Sequence, residues 1–226
     1  MKGYRIMNAK AILFDLDGVI TDTARYHFLA WKHLCDELGL TFTEADNEHL
    51  KGIDRLNSLE IILSQNAKSD VWSDAEKERL AARKNGYYQQ LLEQLTPADI
   101  LPGIPEFLSQ CRQHGCRTAV ASVSRNVRTV LDGIGLSDTF DFVADPGQIT
   151  KNKPDPEIFL CCASALGLSP VDCVGIDDSV AGIRAIRAAG MFAIGIGIPS
   201  NAPCRQDLSL HSTCELPVQA CKILFG

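Results

Sequence analysis

The stretch AILFDLDGVITDT, residues 11–23, opens on four apolar residues and closes on Asp15, Asp17 and a glycine, Gly18. A short continuous apolar run bounded by turn residues reads as a strand buried on both faces, as in parallel sheets. Side chains two apart on a strand point the same way. Asp15 and Asp17 are therefore expected to project together from the strand's carboxyl end, the edge where open parallel sheets bind ligands. The same residues also fit an Asp-Gly turn whose carboxylates only hold backbone amides.

Outward from this strand the chain changes character twice. From Asp22 to Leu95 it is helical: YHFLAWKHLCDEL (26–38), DRLNSLEIILSQN (54–66) and the amphipathic run 73–95 carry apolar residues at helical spacing, with Ser73 and Glu76 as a capping box. All ten prolines lie from Pro97 onward. There, the apolar runs 118–122, 142–144, 173–176 and 192–197 alternate with helical patterns at 104–115, 124–135, 155–167 and 179–190. Buried strands separated by helices predict an α/β fold, a doubly wound parallel-sheet core covered on both faces. An all-helical domain, residues 22–97, is expected to interrupt it after the first strand, leaving 1–21 and 98–226 to the core. The tail after Pro199 carries no legible chemistry and is expected to cover the last strand and helix.

Composition narrows the function. Of 226 residues 46% are hydrophobic, which suffices for a substantial core, and 22 basic against 28 acidic residues give a net charge of -6. Without a basic block, a nucleic-acid partner is not expected. No apolar stretch has the length of a membrane span and the start lacks a signal-peptide core, so a cytoplasmic protein is expected. Nine cysteines without a CxxC spacing suggest free, buried thiols.

A second acidic pair, Asp177 and Asp178, follows the run CVGI and precedes a helical pattern. It could cap that helix. With Asp15 and Asp17 it also places four carboxylates at strand ends of one sheet, where they repel unless a cation holds them; an all-oxygen set suits Mg2+. Ser122 ends the run 118–122 and precedes a predicted helix start, which favours anions, and Lys153 stands just before a proline expected to open a helix. Singly these read as a serine cap and a solvated lysine; the four acids argue for a shared site.

Taken in order, DLDGVITDT, ASVSRN (121–126), KPDPEIF (153–159) and GIDDSVAGIRAIRAAG (175–190) resemble the four motifs of the haloacid dehalogenase superfamily of phosphotransferases. The likeness covers roughly residues 10 to 197 and implies a Rossmann-like core with a helical cap. Dehalogenating members lack the second aspartate, so Asp17 points to phosphoryl transfer. Within the cap region, residues 15–32, LKGIDRLNSLEIIL (50–63), RKNGYY (83–88) and LTPADILPGI (95–104) resemble the bacterial beta-phosphoglucomutase family.

That resemblance implies interconversion of beta-glucose 1-phosphate and glucose 6-phosphate through bound glucose 1,6-bisphosphate. It casts Asp15 as nucleophile, Asp17 as general acid and base, and Thr23, His27, Ser122 and Lys153 as further catalytic residues. One Mg2+ per subunit would be held by Asp15, Asp17, Asp177 and Asp178. Trp31, Lys51, Gly52, Arg55, Ser58, Lys84, Ser122, Val123, Ser124, Arg125 and Asn126 would contact the sugar phosphate. A carboxylate nucleophile needs no activating base at neutral pH, only relief of its repulsion from phosphate. A lone His27 on a helix is otherwise usually structural and a lone Arg55 usually solvated. Asp177 stands where this family commonly has glutamate, Val123 where it has alanine and Arg125 where it has lysine. The resemblance further implies a monomer metabolically linked to an inverting disaccharide phosphorylase. The alternatives are a sugar-phosphate phosphatase of the same fold and a noncatalytic binding module; the latter has no need of a nucleophile, an acid and base and four convergent carboxylates.

Overall fold

The computed structural model describes residues 7–50 and 53–225. Six strands form one sheet: β1 (Ala11–Phe14), β2 (Arg117–Val120), β3 (Phe142–Val143), β4 (Cys173–Asp177), β5 (Phe192–Ile196) and β6 (Leu208–Leu210). Their order is β3-β2-β1-β4-β5-β6 and every neighbouring pair is parallel. β1 thus lies at the centre, hydrogen-bonded to β2 on one side and β4 on the other.

The continuous apolar character of β1 follows from this position. Ile12 and Phe14 enter one buried cluster with Phe107, Leu216 and Leu224, whereas Ala11 and Leu13 enter another with Phe159, Ile183 and Ile186. Helices α5 (Ile104–Gln113) and α9 (Cys221–Leu224) serve the first face. α7 (Glu157–Ala165) and α8 (Val180–Ala188) serve the second. α6 (Val127–Gly133) packs Val127, Val130 and Leu131 into the first cluster.

Four helices lie between β1 and the rest of the sheet: α1 (Ala24–Leu38), α2 (Glu44–Glu48), α3 (Arg55–Gln65) and α4 (Asp74–Leu92). They build a cluster of their own from Trp31, Leu34, Leu59, Ile62 and Leu63. The ends of this block are set by local chemistry. The Asp54 carboxylate accepts from the Leu56 and Asn57 amides at 3.1 Å and starts α3, and the Glu76 carboxylate accepts from the Ser73 amide at 2.8 Å at the start of α4. Tyr26, Ala30, Tyr88 and Leu92, from α1 and α4, pack into the sheet's first cluster. Among the described residues no helix is long and apolar enough to cross a membrane.

Strand boundaries differ from expectation: β2 spans Arg117–Val120 rather than 118–122, β3 ends at Val143 rather than Ala144, β4 runs on to Asp177 rather than stopping at Ile176, and β5 ends at Ile196 rather than Gly197. The larger correction concerns the tail. Instead of only covering the sheet it extends it, with β6 pairing to β5 in the register Ile194↔Leu208 and Ile196↔Leu210. Three residues in a Ser- and Pro-rich context are too few for a periodic signal. Leu210 is 1% exposed. Leu210→Ala is expected to cost about 2–5 kcal/mol, read as a lower urea midpoint with an unchanged slope.

Candidate active site

β1 and β4 are neighbours at the point where the strand order reverses, the crevice position in doubly wound sheets. Phe14 pairs with Ile176, and the Asp15 amide donates to the Ile176 carbonyl at 2.9 Å. The carboxylates that follow are thereby forced together: Asp15, Asp177 and Asp178 each offer an oxygen within 4.8 Å of the others.

Lys153 relieves part of this repulsion. Its Nζ lies 2.6 Å from Asp15 Oδ1 and 2.8 Å from Asp177 Oδ2, and its side chain is 1% exposed. Burial opposes charge on Lys153, yet Asp15 and Asp177 outweigh it and hold the ammonium above its ordinary range. Burial, with Lys153 pulling back and Asp177 adding, pushes Asp15 up to about 6. The other oxygen of Asp177 accepts from the Ser179 amide at 2.9 Å and hydroxyl at 2.7 Å. Two glycines make room: a Cβ on Gly182 would fall 1.9 Å from Asp177 Cγ, and one on Gly18, at φ +78°, 2.2 Å from Asp178 Oδ2. One ammonium against three carboxylates leaves a negative, all-oxygen cluster, a donor set that fits a hard divalent cation such as Mg2+.

Asp17 turns into a different network. Its Oδ1 accepts from the Thr23 hydroxyl, and Thr23 Oγ1 accepts from the buried Tyr88 hydroxyl at 3.0 Å. Thr23 is the N-cap of α1, but its side chain makes no capping bond. His27 Nε2 lies 4.0 Å from Asp17 Oδ2, while its Nδ1 is 2.8 Å from Lys84 Nζ. Burial, with Lys84 and Arg55, holds the His27 pKa well below its usual value. A neutral ring that accepts from Lys84 at Nδ1 carries its proton on Nε2, toward Asp17. Lys84 is lowered to about 7 by burial and then Arg55. Its ammonium lies over the rings of Trp31 and Tyr88, at 4.9 and 4.8 Å. Burial, then the charges of Asp15 and Asp178, raise Asp17 to about 8. A carboxyl that exchanges its proton near neutrality suits general acid and base work.

Both networks open on one cavity of about 300 Å³. Asp15, Asp17, His27, Trp31, Arg55, Ser58, Lys84, Ser122, Val123, Ser124, Arg125, Asn126, Lys153 and Asp178 line it. Thr23 and Asp177 are buried behind that lining; Lys51 and Gly52 lie outside the described residues. Burial, and then the charge of Arg125, lowers the Arg55 pKa, and neither arginine has a carboxylate partner among the described residues. Ser58 donates its hydroxyl proton to the Asp54 carbonyl of its own helix at 2.9 Å. Asn126 donates to Asn85 at 2.9 Å and accepts from Gln89 at 3.2 Å, both on α4. Asn152 donates to Asp54 at 3.1 Å, a further polar bond between the helical block and the sheet domain.

Tyr88, Asn85, Gln89 and Ser179 are absent from the set read from sequence. Tyr88 had a signal: it lies four residues after Lys84, one helical turn along the same face of α4.

Mg2+ is expected to raise the thermal midpoint of the chain, the stabilisation reaching about 2.7 kcal/mol at a hundredfold excess over Kd. Asp178→Ala should remove most of that shift. Protons compete for the ligands. Asp15 and Asp17 titrate above the ordinary carboxylate range, so these two groups hold more protons in the folded chain than in the unfolded one between about pH 4 and 8. Their contribution to cation-free stability therefore falls as pH rises through that window, while the lowered His27 and Lys84 contribute with the opposite sign. The Mg2+ shift should be larger at pH 8 than at pH 6, as a thermal melt at each pH would read.

Comparison with known proteins identifies the family. Residues 9–190 match the family model of the haloacid dehalogenase-like hydrolases. The chain is 46% identical over 210 residues to a beta-phosphoglucomutase of Bacillus subtilis, covering 93% of this chain and 92% of that one. It is 28% identical to hexitol phosphatase B of Escherichia coli, covering 91% and 93% of the two chains. A crystal structure of beta-phosphoglucomutase from Clostridium difficile superposes with a TM-score of 0.90 at 43% identity, over 95% of this chain and 96% of that one. With a family model matched over residues 9–190 and a relative 46% identical across 93% of the sequence, the chain belongs to the haloacid dehalogenase-like hydrolase family.

Proposed function

We propose that the chain is a beta-phosphoglucomutase, converting beta-glucose 1-phosphate to glucose 6-phosphate and back through glucose 1,6-bisphosphate. The observation that carries this is the pair of separate cationic groups in one cavity: Lys153 beside Asp15, and Arg55 with Arg125 without carboxylate partners. A bisphosphate has a phosphate for each. Residues 22–97 act as the cap and 1–21 with 98–226 as the core.

In the phosphoenzyme, Asp17 removes the proton of the 6-hydroxyl of beta-glucose 1-phosphate, and that oxygen takes the phosphoryl group from Asp15 to give glucose 1,6-bisphosphate. The bisphosphate turns to present its 1-phosphate; Asp15 attacks that phosphorus, Asp17 returns its proton to the departing sugar oxygen, and glucose 6-phosphate leaves with the aspartyl phosphate restored. Ser122 and Lys153 hold the transferring group, whereas Arg55, Ser124, Arg125 and Asn126 hold the distal phosphate. Trp31, Lys51, Gly52, Ser58, Lys84 and Val123 face the sugar or close the site. The Asp15 carboxylate, the Asp17 backbone carbonyl, Asp177 and Asp178 would hold Mg2+, which would supply positive charge to offset that of the transferring phosphoryl group. Closure of the cap keeps water from the aspartyl phosphate. The beta anomer of the substrate is what an inverting disaccharide phosphorylase releases, and the chain works as a monomer.

The test is an assay with Mg2+, beta-glucose 1-phosphate and a trace of glucose 1,6-bisphosphate, following glucose 6-phosphate and free phosphate together. Rapid glucose 6-phosphate from the beta anomer alone, with little free phosphate, is expected; free phosphate without isomerisation would replace the mutase with a phosphatase. Asp15→Asn should abolish turnover and phosphoenzyme formation alike. Arg55→Ala should slow the mutase reaction far more than hydrolysis of a small phosphate ester, and equal losses would remove its distal-phosphate role.

A further inference from the structure

We propose that Tyr88 is the positioning residue for the general acid and base Asp17, acting through Thr23 and His27 without touching substrate. The inference rests on the role given to Asp17 above.

Three contacts carry it. Tyr88 is 0% exposed and donates its hydroxyl proton to Thr23 Oγ1 at 3.0 Å. A hydroxyl has one proton to give. With Tyr88 supplying the proton on one side, the Thr23 proton goes to Asp17 Oδ1. Thr23 has a competing task, because it is the N-cap of α1, where a threonine oxygen ordinarily accepts from first-turn amides. The bond from Tyr88 holds Thr23 to the carboxylate instead. The same ring packs on His27, centroids 4.1 Å apart at 32°, and lies beneath Lys84 Nζ at 4.8 Å. His27 in turn presents Nε2 to the other oxygen of Asp17. One buried aromatic side chain therefore orients the neighbours of both carboxylate oxygens.

Tyr88→Phe removes the hydroxyl and keeps the ring; Tyr88→Leu removes both. The decisive comparison sets turnover of a sugar phosphate, whose departing alkoxide needs a proton, beside phosphorylation of Asp15 by acetyl phosphate, whose carboxylate leaving group needs none. Tyr88→Phe is expected to lower kcat for the sugar phosphate roughly tenfold to a hundredfold, a part of the 10²- to 10⁴-fold that a general acid and base contributes. KM and the acetyl phosphate reaction should stay within about threefold, and Tyr88→Leu should lose more kcat. In a Thr23→Val background Tyr88→Phe should add little, since the two hydroxyls form one chain.

Equal losses in both reactions, no loss in either, a change confined to KM, or additive losses with Thr23→Val would each overturn the inference. The wild type, run alongside, separates this from the mutase reading. If it hydrolyses sugar phosphates without isomerising them, the mutase fails, and Tyr88→Phe is judged on that hydrolysis, which expels the same kind of alkoxide.

Discussion

Carboxylates crowded at the junction of β1 and β4 set the terms for the whole molecule. Parallel pairing of Phe14 with Ile176 leaves Asp15 and Asp177 side by side, and the turns that follow add Asp17 and Asp178. Close like charges in a buried site are unfavourable unless a counter-charge is fixed among them. Lys153, carried in by the segment before α7, is that counter-charge, and its aliphatic stem is enclosed well enough that only 1% of the side chain is exposed. Ser179 and Gly182 serve the same end by giving Asp177 two donors and a place to lie. Replacing Lys153 with an apolar residue leaves buried carboxylates uncompensated, which costs more than the pair itself contributes.

Asp15 and Asp17, only two residues apart, live in different electrostatic surroundings. Asp15 faces an ammonium at 2.6 Å. Asp17 faces a hydroxyl and a neutral imidazole, with Lys84 one residue further back. Burial acts on both, but only Asp15 has a cation in direct contact, so the two carboxyls are driven apart, to about 6 and about 8. Separation of that kind lets one acid stay charged as a nucleophile while its neighbour trades a proton.

How much of this is legible in the sequence depends on where the information lies along the chain. The acidic strand end at Asp15 and Asp17 is written in consecutive residues, as are Asp177 and Asp178, so both are readable without coordinates. Lys153 and Ser122 are readable because each stands at a strand or helix boundary. The motif resemblance adds the cap residues Arg55 and Lys84. Tyr88 is legible only through its helical spacing from Lys84. On an amphipathic helix a tyrosine looks like core, which it also is, and its hydrogen-bond partner Thr23 is 65 residues away. β6 fails for the opposite reason: three residues are too short for a pattern, and only the β5 edge gives them a strand's hydrogen bonds. Nor could spacing reveal that Asn126 spends its side-chain amide on Asn85 and Gln89.

Those last contacts give α4 an unusual mechanical position. One face of this helix carries Lys84, Asn85, Tyr88 and Gln89, and so it reaches His27 and Thr23 near its middle and Asn126 on the sheet side. A helix is stiff along its axis and rises 1.5 Å per residue. A slide of α4 by even one such step would exceed the tolerance of a hydrogen bond at every one of these points together. The helix therefore behaves as a rod with two gauges attached: a shift of α4 alters its contacts with Asn126 at one point and with Thr23 and His27 at the other in the same motion.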